Sequence, residues 1–320
     1  MRPWGPRRER GAMTIIAPPA RPRPRAVCAD DRDFHRLARS SGRHRWWRPV
    51  LVLTVAAALF VLGTLLSVVP LVVIGLAAPG QEDVIDRALA SSEMSDPMAA
   101  TFMLLAIAVM LPAALLAVRL AGARPMGTLS SVAGRLRVAL LGRCLGLALL
   151  LVILAMLAFV TVDGTWPDAT LTARTLPLLA VAVLVVPVQA AAEEYVFRGL
   201  LMQTVGAWLR HPAFAIVLPV PLFTLGHEYD GLGLVDVTSF ALVAGWLTWR
   251  TGGLEAAIGL HVANNAAIVA FGAFGLVDLD ATEGTLAGLA CTLAVTVGYA
   301  WLVRGWADEA RRRATSRRRP

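Results

Sequence analysis

The sequence predicts an all-α fold, a polytopic membrane helical bundle of about eight transmembrane helices. Three observations carry this expectation. Apolar residues make up 57% of the 320, well above the share of a soluble globular domain. Several apolar runs extend for about 20 residues or more, the length a helix needs to cross a hydrocarbon core about 30 Å thick. The net charge of +8 is concentrated outside those runs, with arginine recurring over residues 2–48 and again over 304–319.

In chain order, residues 1–48 are rich in Arg and Pro. They are too long and too polar for a cleavable signal peptide and read as a disordered cytoplasmic arm. The bundle occupies 49–303, with spans at roughly 50–78, 98–118, 138–161, 177–208, 212–228, 232–249, 253–272 and 285–303, and a basic cytoplasmic tail follows at 304–320. Pro97, Pro177 and Pro212 open the second, fourth and fifth spans, and Gly252 with Gly253 separates the sixth from the seventh. In the fourth, the apolar pattern continues from Pro177 to Leu209 without a breaker. A helix of that length is about 50 Å long, so it must tilt, kink or project from the bilayer.

Charge on the connections gives an orientation. With the amino terminus inside, the inner connections hold Arg119, Arg124, Arg135, Arg137, Arg143, Arg210 and Arg250. The outer ones hold Glu82, Asp83, Asp86, Glu93, Asp96, Asp163, Asp168, Asp278, Asp280 and Glu283, against only Arg87 and Arg174. Short cytoplasmic loops carry the Lys/Arg excess, so both termini are expected in the cytoplasm, in a cell-membrane protein. Beside so many apolar runs, the basic arms suit an anionic lipid surface, and nucleic acid is not an expected partner. Cys28, Cys144 and Cys291 have neither a metal-ligand spacing nor a disulfide framework.

The ionisable residues set inside the spans point to chemistry, because a charge at a membrane helix centre costs about 2.5–3.5 kcal/mol and persists when it is paired or functional. They are Glu193, Glu194, Arg198 and His261, with His227 toward the end of its span. Glu194 and Arg198 are four apart, a spacing that pairs acid with base on one helix face. Glu193 lies about 100° around the helix from Glu194 and is free to face another neighbour. Phe223 with His227, and His261 with Asn265, repeat the four-residue spacing. A lone histidine on an apolar helix is usually a packed core residue, but two of them beside an inward Asn and an unpaired Glu point to hydrolysis.

Two chemistries fit this set. In one, His227 and Glu193 hold a water and Glu193 takes its proton, while His261 and Asn265 donate to the oxyanion. In the other, Glu193, His227 and His261 ligate zinc or another divalent metal. No cofactor is required outright, and the His-Glu-x-x-His signature is absent. Ser239 has no motif around it that would make it a nucleophile.

Glu193-Glu194-Tyr-Val-Phe-Arg198, Phe223-Thr-Leu-Gly-His227 and His261-Val-Ala-Asn-Asn265 occur in that order on predicted membrane helices. Together they resemble the motifs of the CAAX-processing and bacteriocin-processing (Abi, or CPBP) family of intramembrane proteases. The resemblance covers roughly residues 170–275. It implies an activating glutamate at Glu193 supported by Glu194 and Arg198, a water-positioning His227, and oxyanion donors at His261 and Asn265. It further implies a membrane-anchored peptide or protein as substrate, prenylated for some members of the family and not for others, and it leaves the metal open. Two other readings compete with the protease: a non-catalytic scaffold or bacteriocin-immunity protein that keeps the site as a polar network, and a proton-coupled transporter. The transporter lacks paired Gly/Pro-interrupted spans in matching halves.

Overall fold

The computed structural model of the chain describes residues 33–77 and 93–316. Among them, seven helices are long and apolar enough to cross a membrane, and an eighth apolar helix is shorter. In chain order these are α1 (Arg48–Ala77), α2 (Pro97–Ala121), α3 (Val138–Asp163), α4 (Thr175–Trp208), α5 (Pro212–Thr224), α6 (Gly231–Thr251), α7 (Glu255–Ala273) and α8 (Leu286–Ser316). No strand occurs among the described residues. Helix α8 runs on into the segment read as a tail, and residues 1–32 and 82–87 lie outside the described residues.

Local chemistry sets the helix ends. Asp96 caps α2 by accepting from the amides of Met98 and Ala99, with Pro97 in the first turn where its missing N–H costs nothing. Asp230 caps α6 in the same way through the Gly233 amide. Helices α3 and α6 stop at Gly164 and Gly252, at φ 76° and 70°, a left-handed conformation that favours glycine. Inside α2 the ladder breaks at Val109, where the ring of Pro112 would strike the Ala108 carbonyl. The same clash from Pro187 on Val183 accounts for a widened π-type turn at Val181–Val185 of α4.

The fifth span departs from expectation. It is two short pieces, Pro212–Val217 and Val220–Thr224, and His227 lies beyond them in a bend rather than on a helix. Pro219 and Pro221 remove two amide donors within three residues, and Gly226 follows. The chain still crosses the bundle here. It leaves from Arg210, whose carbonyl bonds to His35, and arrives at Asp230, whose amide donates to Thr282 at the opposite end.

The two ends of the bundle differ in charge. One end joins residues 33–48, 122–137, 206–211 and 251–255; the other joins 94–96, 165–175, 227–230 and 273–285. The first carries Arg36, Arg39, Arg43, Arg45, Arg124, Arg135, Arg137 and Arg210. The second carries Glu93, Asp96, Asp168, Asp230, Asp278, Asp280 and Glu283, with Arg174.

At the basic end the connection after α2 is not a solvated loop. Leu129 and Ser131 are fully buried, Val132 donates to the Gly252 carbonyl, and Leu254 donates to that of Ser130. Arg137 closes this plug by donating through Nε and Nη2 to the two carboxylate oxygens of Glu255. Residues 33–47 correct a second expectation. Rather than lying in a disordered arm, Phe34, His35 and Leu37 are buried in a 3-10 turn against the end of α4.

Helix α7 is the centre of the bundle. Of its most apolar stretch 61% is buried, against 6% for α1, whose Val61, Leu65 and Leu66 face outward. Helix α7 meets α3 closely at Gly259, where a Cβ would lie 2.9 Å from the Leu145 nitrogen. Small residues allow such approach between membrane helices. Tyr299 of α8 donates to the Ala256 carbonyl at 2.9 Å and fixes α8 on the same helix. These contacts hold α7, and His261 with it, against α4.

Candidate active site

Glu193 and Glu194 lie near the middle of α4, about 27 Å from its start at 1.5 Å per residue. A second widened turn, Tyr195–Leu201, follows them directly and carries Arg198. Arg198 Nη1 donates to Glu194 Oε1 at 2.8 Å, with exposures of 4% and 0%. The guanidinium also lies over the Phe223 ring, 4.2 Å from its centroid. So buried a cation needs both contacts, because an unpaired charge at this depth costs several kcal/mol.

Across from α4, His261 stands between the two carboxylates. Its Nδ1 lies 2.8 Å from Glu194 Oε1 and its Nε2 3.3 Å from Glu193 Oε2. Glu194 Oε1 thus accepts from Arg198 and from His261 together. A carboxylate held by Arg198 acts as an acceptor, so Nδ1 carries a proton toward Glu194 and Nε2 faces Glu193. Phe240 packs edge-on to the imidazole at 5.0 Å.

The other two predicted residues stand apart from this cluster. His227 Nδ1 donates to the Phe223 carbonyl at 2.8 Å, which leaves Nε2 outside that bond. The Phe223 ring contacts both imidazoles, with centroids 4.8 Å from His227 and 6.2 Å from His261. Tyr229 stacks on His227, with ring centroids 6.0 Å apart. Asn265 sits one turn beyond His261 and accepts from Asn264 at 3.2 Å, so its own amide N–H groups are free of that bond. The neighbour of Glu193 is therefore His261, not the His227 expected from depth along the chain.

The metal alternative does not match this geometry. No group of three or more His, Cys, Asp or Glu donors among the described residues converges as a metal site. Both nitrogens of His261 face carboxylates, and the Phe223 ring contacts the two histidines that would have to share an ion.

Sequence reasoning passed over Gln189. It lies four residues before Glu193 on the same helix, is 4% exposed, and its Oε1 has no hydrogen-bond partner. The signal was an uncharged amide inside an apolar run, weaker than a charge but costly to bury all the same. Beside Arg198, whose Nη2 is also unpartnered, a small cavity of about 10 Å³ lies between Phe197, Met202, Phe223, Ala241 and Gly245.

A Bacillus subtilis (strain 168) protein, described as uncharacterized protein YyaK, is 27% identical over 244 residues, covering 72% of this chain and 79% of that protein. No solved structure matches the chain. Residues 174–267 match the family model described as type II CAAX prenyl endopeptidase Rce1-like, and this segment holds Glu193, Glu194, Arg198, His227, His261 and Asn265. With its membrane-spanning helices the chain is a multi-pass membrane protein, and over residues 174–267 it is similar to the Rce1-like CAAX prenyl endopeptidase family.

Proposed function

We propose that this chain is an intramembrane endopeptidase that hydrolyses peptide bonds of membrane-anchored, lipidated peptides or proteins with a water activated by Glu193. The observation that carries the proposal is the buried relay Arg198–Glu194–His261–Glu193. It sets a carboxylate against an imidazole whose other nitrogen is already fixed. General bases work best when their orientation and protonation are held in this way.

In the proposed reaction, His227 Nε2 accepts one hydrogen of the water and Glu193 removes the other. The resulting hydroxide attacks the scissile carbonyl carbon. Charge developing on that oxygen is met by the Asn265 amide and by His261 Nε2–H, donors aimed at charge that appears only in the transition state. Glu193 then returns its proton to the leaving nitrogen as the carbon–nitrogen bond breaks, so the enzyme ends in its starting protonation state.

A second reading keeps the same residues as a packing network in a scaffold or immunity protein. What favours it is that Glu193, Glu194, Arg198 and His261 pair with one another without His227 or Asn265. Incubating the full chain in nanodiscs with a quenched fluorescent lipopeptide library, with and without chelator, separates the readings. Cleavage that survives the chelator is expected, and a folded preparation inert toward every member would favour the scaffold. The proposed orientation, basic end cytoplasmic, is tested by labelling single cysteines placed at Arg135 and Asp278 in intact cells. The membrane-impermeant reagent should reach only position 278.

A further inference from the structure

At the basic end, away from the Glu193 cluster, a narrow open cleft lies between the amino-terminal segment, the start of α1 and residues 200–204 of α4. His44, Arg48 and Arg124 line it together with Val52, Leu200 and Thr204, and the lining holds no carboxylate. Arg124 is only 9% exposed and is held by the Thr128 hydroxyl and the Gln203 side-chain oxygen, both neutral. The Arg48 Nε is buried with no hydrogen-bond partner. Two arginines and an imidazole share this cleft with no acid in its lining, an arrangement that an anion would complete.

The depth of the cleft says where such an anion would come from. Trp46, Trp47 and Trp208 are exposed beside it, and Trp208 donates to the Trp46 carbonyl. Exposed tryptophans mark the headgroup layer of a bilayer. Arg48 begins the first membrane helix, and Val52 gives the cleft an apolar inner wall. We propose that His44, Arg48 and Arg124 form a binding site for a phosphate group at headgroup level, filled by an anionic phospholipid. Arginine forks suit phosphate oxygens through paired N–H donors. Leu200 and Thr204 belong to α4, so a bound phosphate would brace the helix that carries Glu193 and Glu194.

Native mass spectrometry of the full chain in detergent tests this, with titrations of phosphatidylglycerol, phosphatidylcholine and inorganic phosphate run in parallel. Wild type should retain one phosphatidylglycerol in preference to phosphatidylcholine. Arg48→Gln and His44→Gln should each weaken that retention, Arg48→Gln by about fivefold, the order expected for one basic side chain near an anionic lipid. Arg119→Gln, which removes an exposed arginine outside the cleft, should leave it unchanged. Arg124→Gln is informative only if it folds, since Arg124 also ties Thr128 to Gln203, so the two partly exposed positions carry the test. Binding of inorganic phosphate alone, sensitive to Arg48→Gln, would uphold the phosphate site and make its source soluble. Retention that is equal for both lipids, or equal across Arg48→Gln, His44→Gln and Arg119→Gln, would overturn the proposal.

Discussion

Replacing Arg198 with methionine isolates what holds the candidate site together. Methionine is close in length and apolar, so the packing against Phe223 and Phe240 survives while the charge does not. Glu194, fully buried, would keep only the hydrogen bond from His261. Breaking a buried ion pair on one side costs about 3–5 kcal/mol, because the remaining charge is stranded. At about 2–4 °C per kcal/mol for a chain of this size, the thermal midpoint should fall by about 6–20 °C. The assay is a thermal unfolding scan of purified protein in one fixed detergent, read by tryptophan fluorescence. Adding Glu194→Gln to Arg198→Met removes the stranded charge and should recover most of the loss, giving a coupling well above about 0.5 kcal/mol. A midpoint within 2 °C of wild type for Arg198→Met, or additive effects in the double variant, would refute the ion pair as the anchor of the site.

Two further predictions concern the scaffold around that site. Gly259→Leu should separate α7 from α3, since even a Cβ would sit 2.9 Å from Leu145 N and 3.0 Å from Cys144 C; overpacking of this kind costs about 1–3 kcal/mol or more. The same unfolding scan reads it, and a neutral result would mean the two helices meet elsewhere. His35 should make the docking of the amino-terminal turn sensitive to acid. Burial pushes its imidazole below the ordinary value of 6.5, outweighing the Arg210 carbonyl and the Asp33 charge, while Arg36 and His211 push the same way as burial. The unfolded segment therefore binds the proton more readily, and the docking stability present above pH 6.5 should decline as pH falls below it. Hydrogen exchange of the 34–39 amides should be slow at pH 7.5 and faster at pH 5.5 than the intrinsic pH effect allows, and His35→Gln should abolish that difference.

Most spans were legible because a helix in lipid must be apolar over its whole length, and breakers such as Pro97 and Gly252 sit at real helix ends. The fifth was not. Pro219 and Pro221 look like ordinary apolar residues to a hydropathy reading, yet together they end the helix before His227. The loop holding Arg124, Arg135 and Arg137 was also opaque, since its arginines read as solvated charge. Arg137 is instead matched to Glu255, 118 residues away, and sequence alone gives no measure of that distance. Within the site, the spacing of Glu194 and Arg198 announced a contact made within one helix. The placing of His261 between Glu193 and Glu194 depends on how α7 packs against α4, which spacing along either helix does not encode. Gln189 carried no charge to draw notice.

The most direct measurement is turnover of a cleavable lipopeptide by wild type and by Glu193→Gln, both reconstituted in nanodiscs and both shown to have the same thermal midpoint. Glutamine keeps the shape and the contact with His261 but cannot take a proton from water. A loss of about 10²–10⁴-fold in kcat, the usual contribution of a general base, is expected. Turnover by Glu193→Gln within a few-fold of wild type would contradict the assignment of Glu193 as the group that activates water.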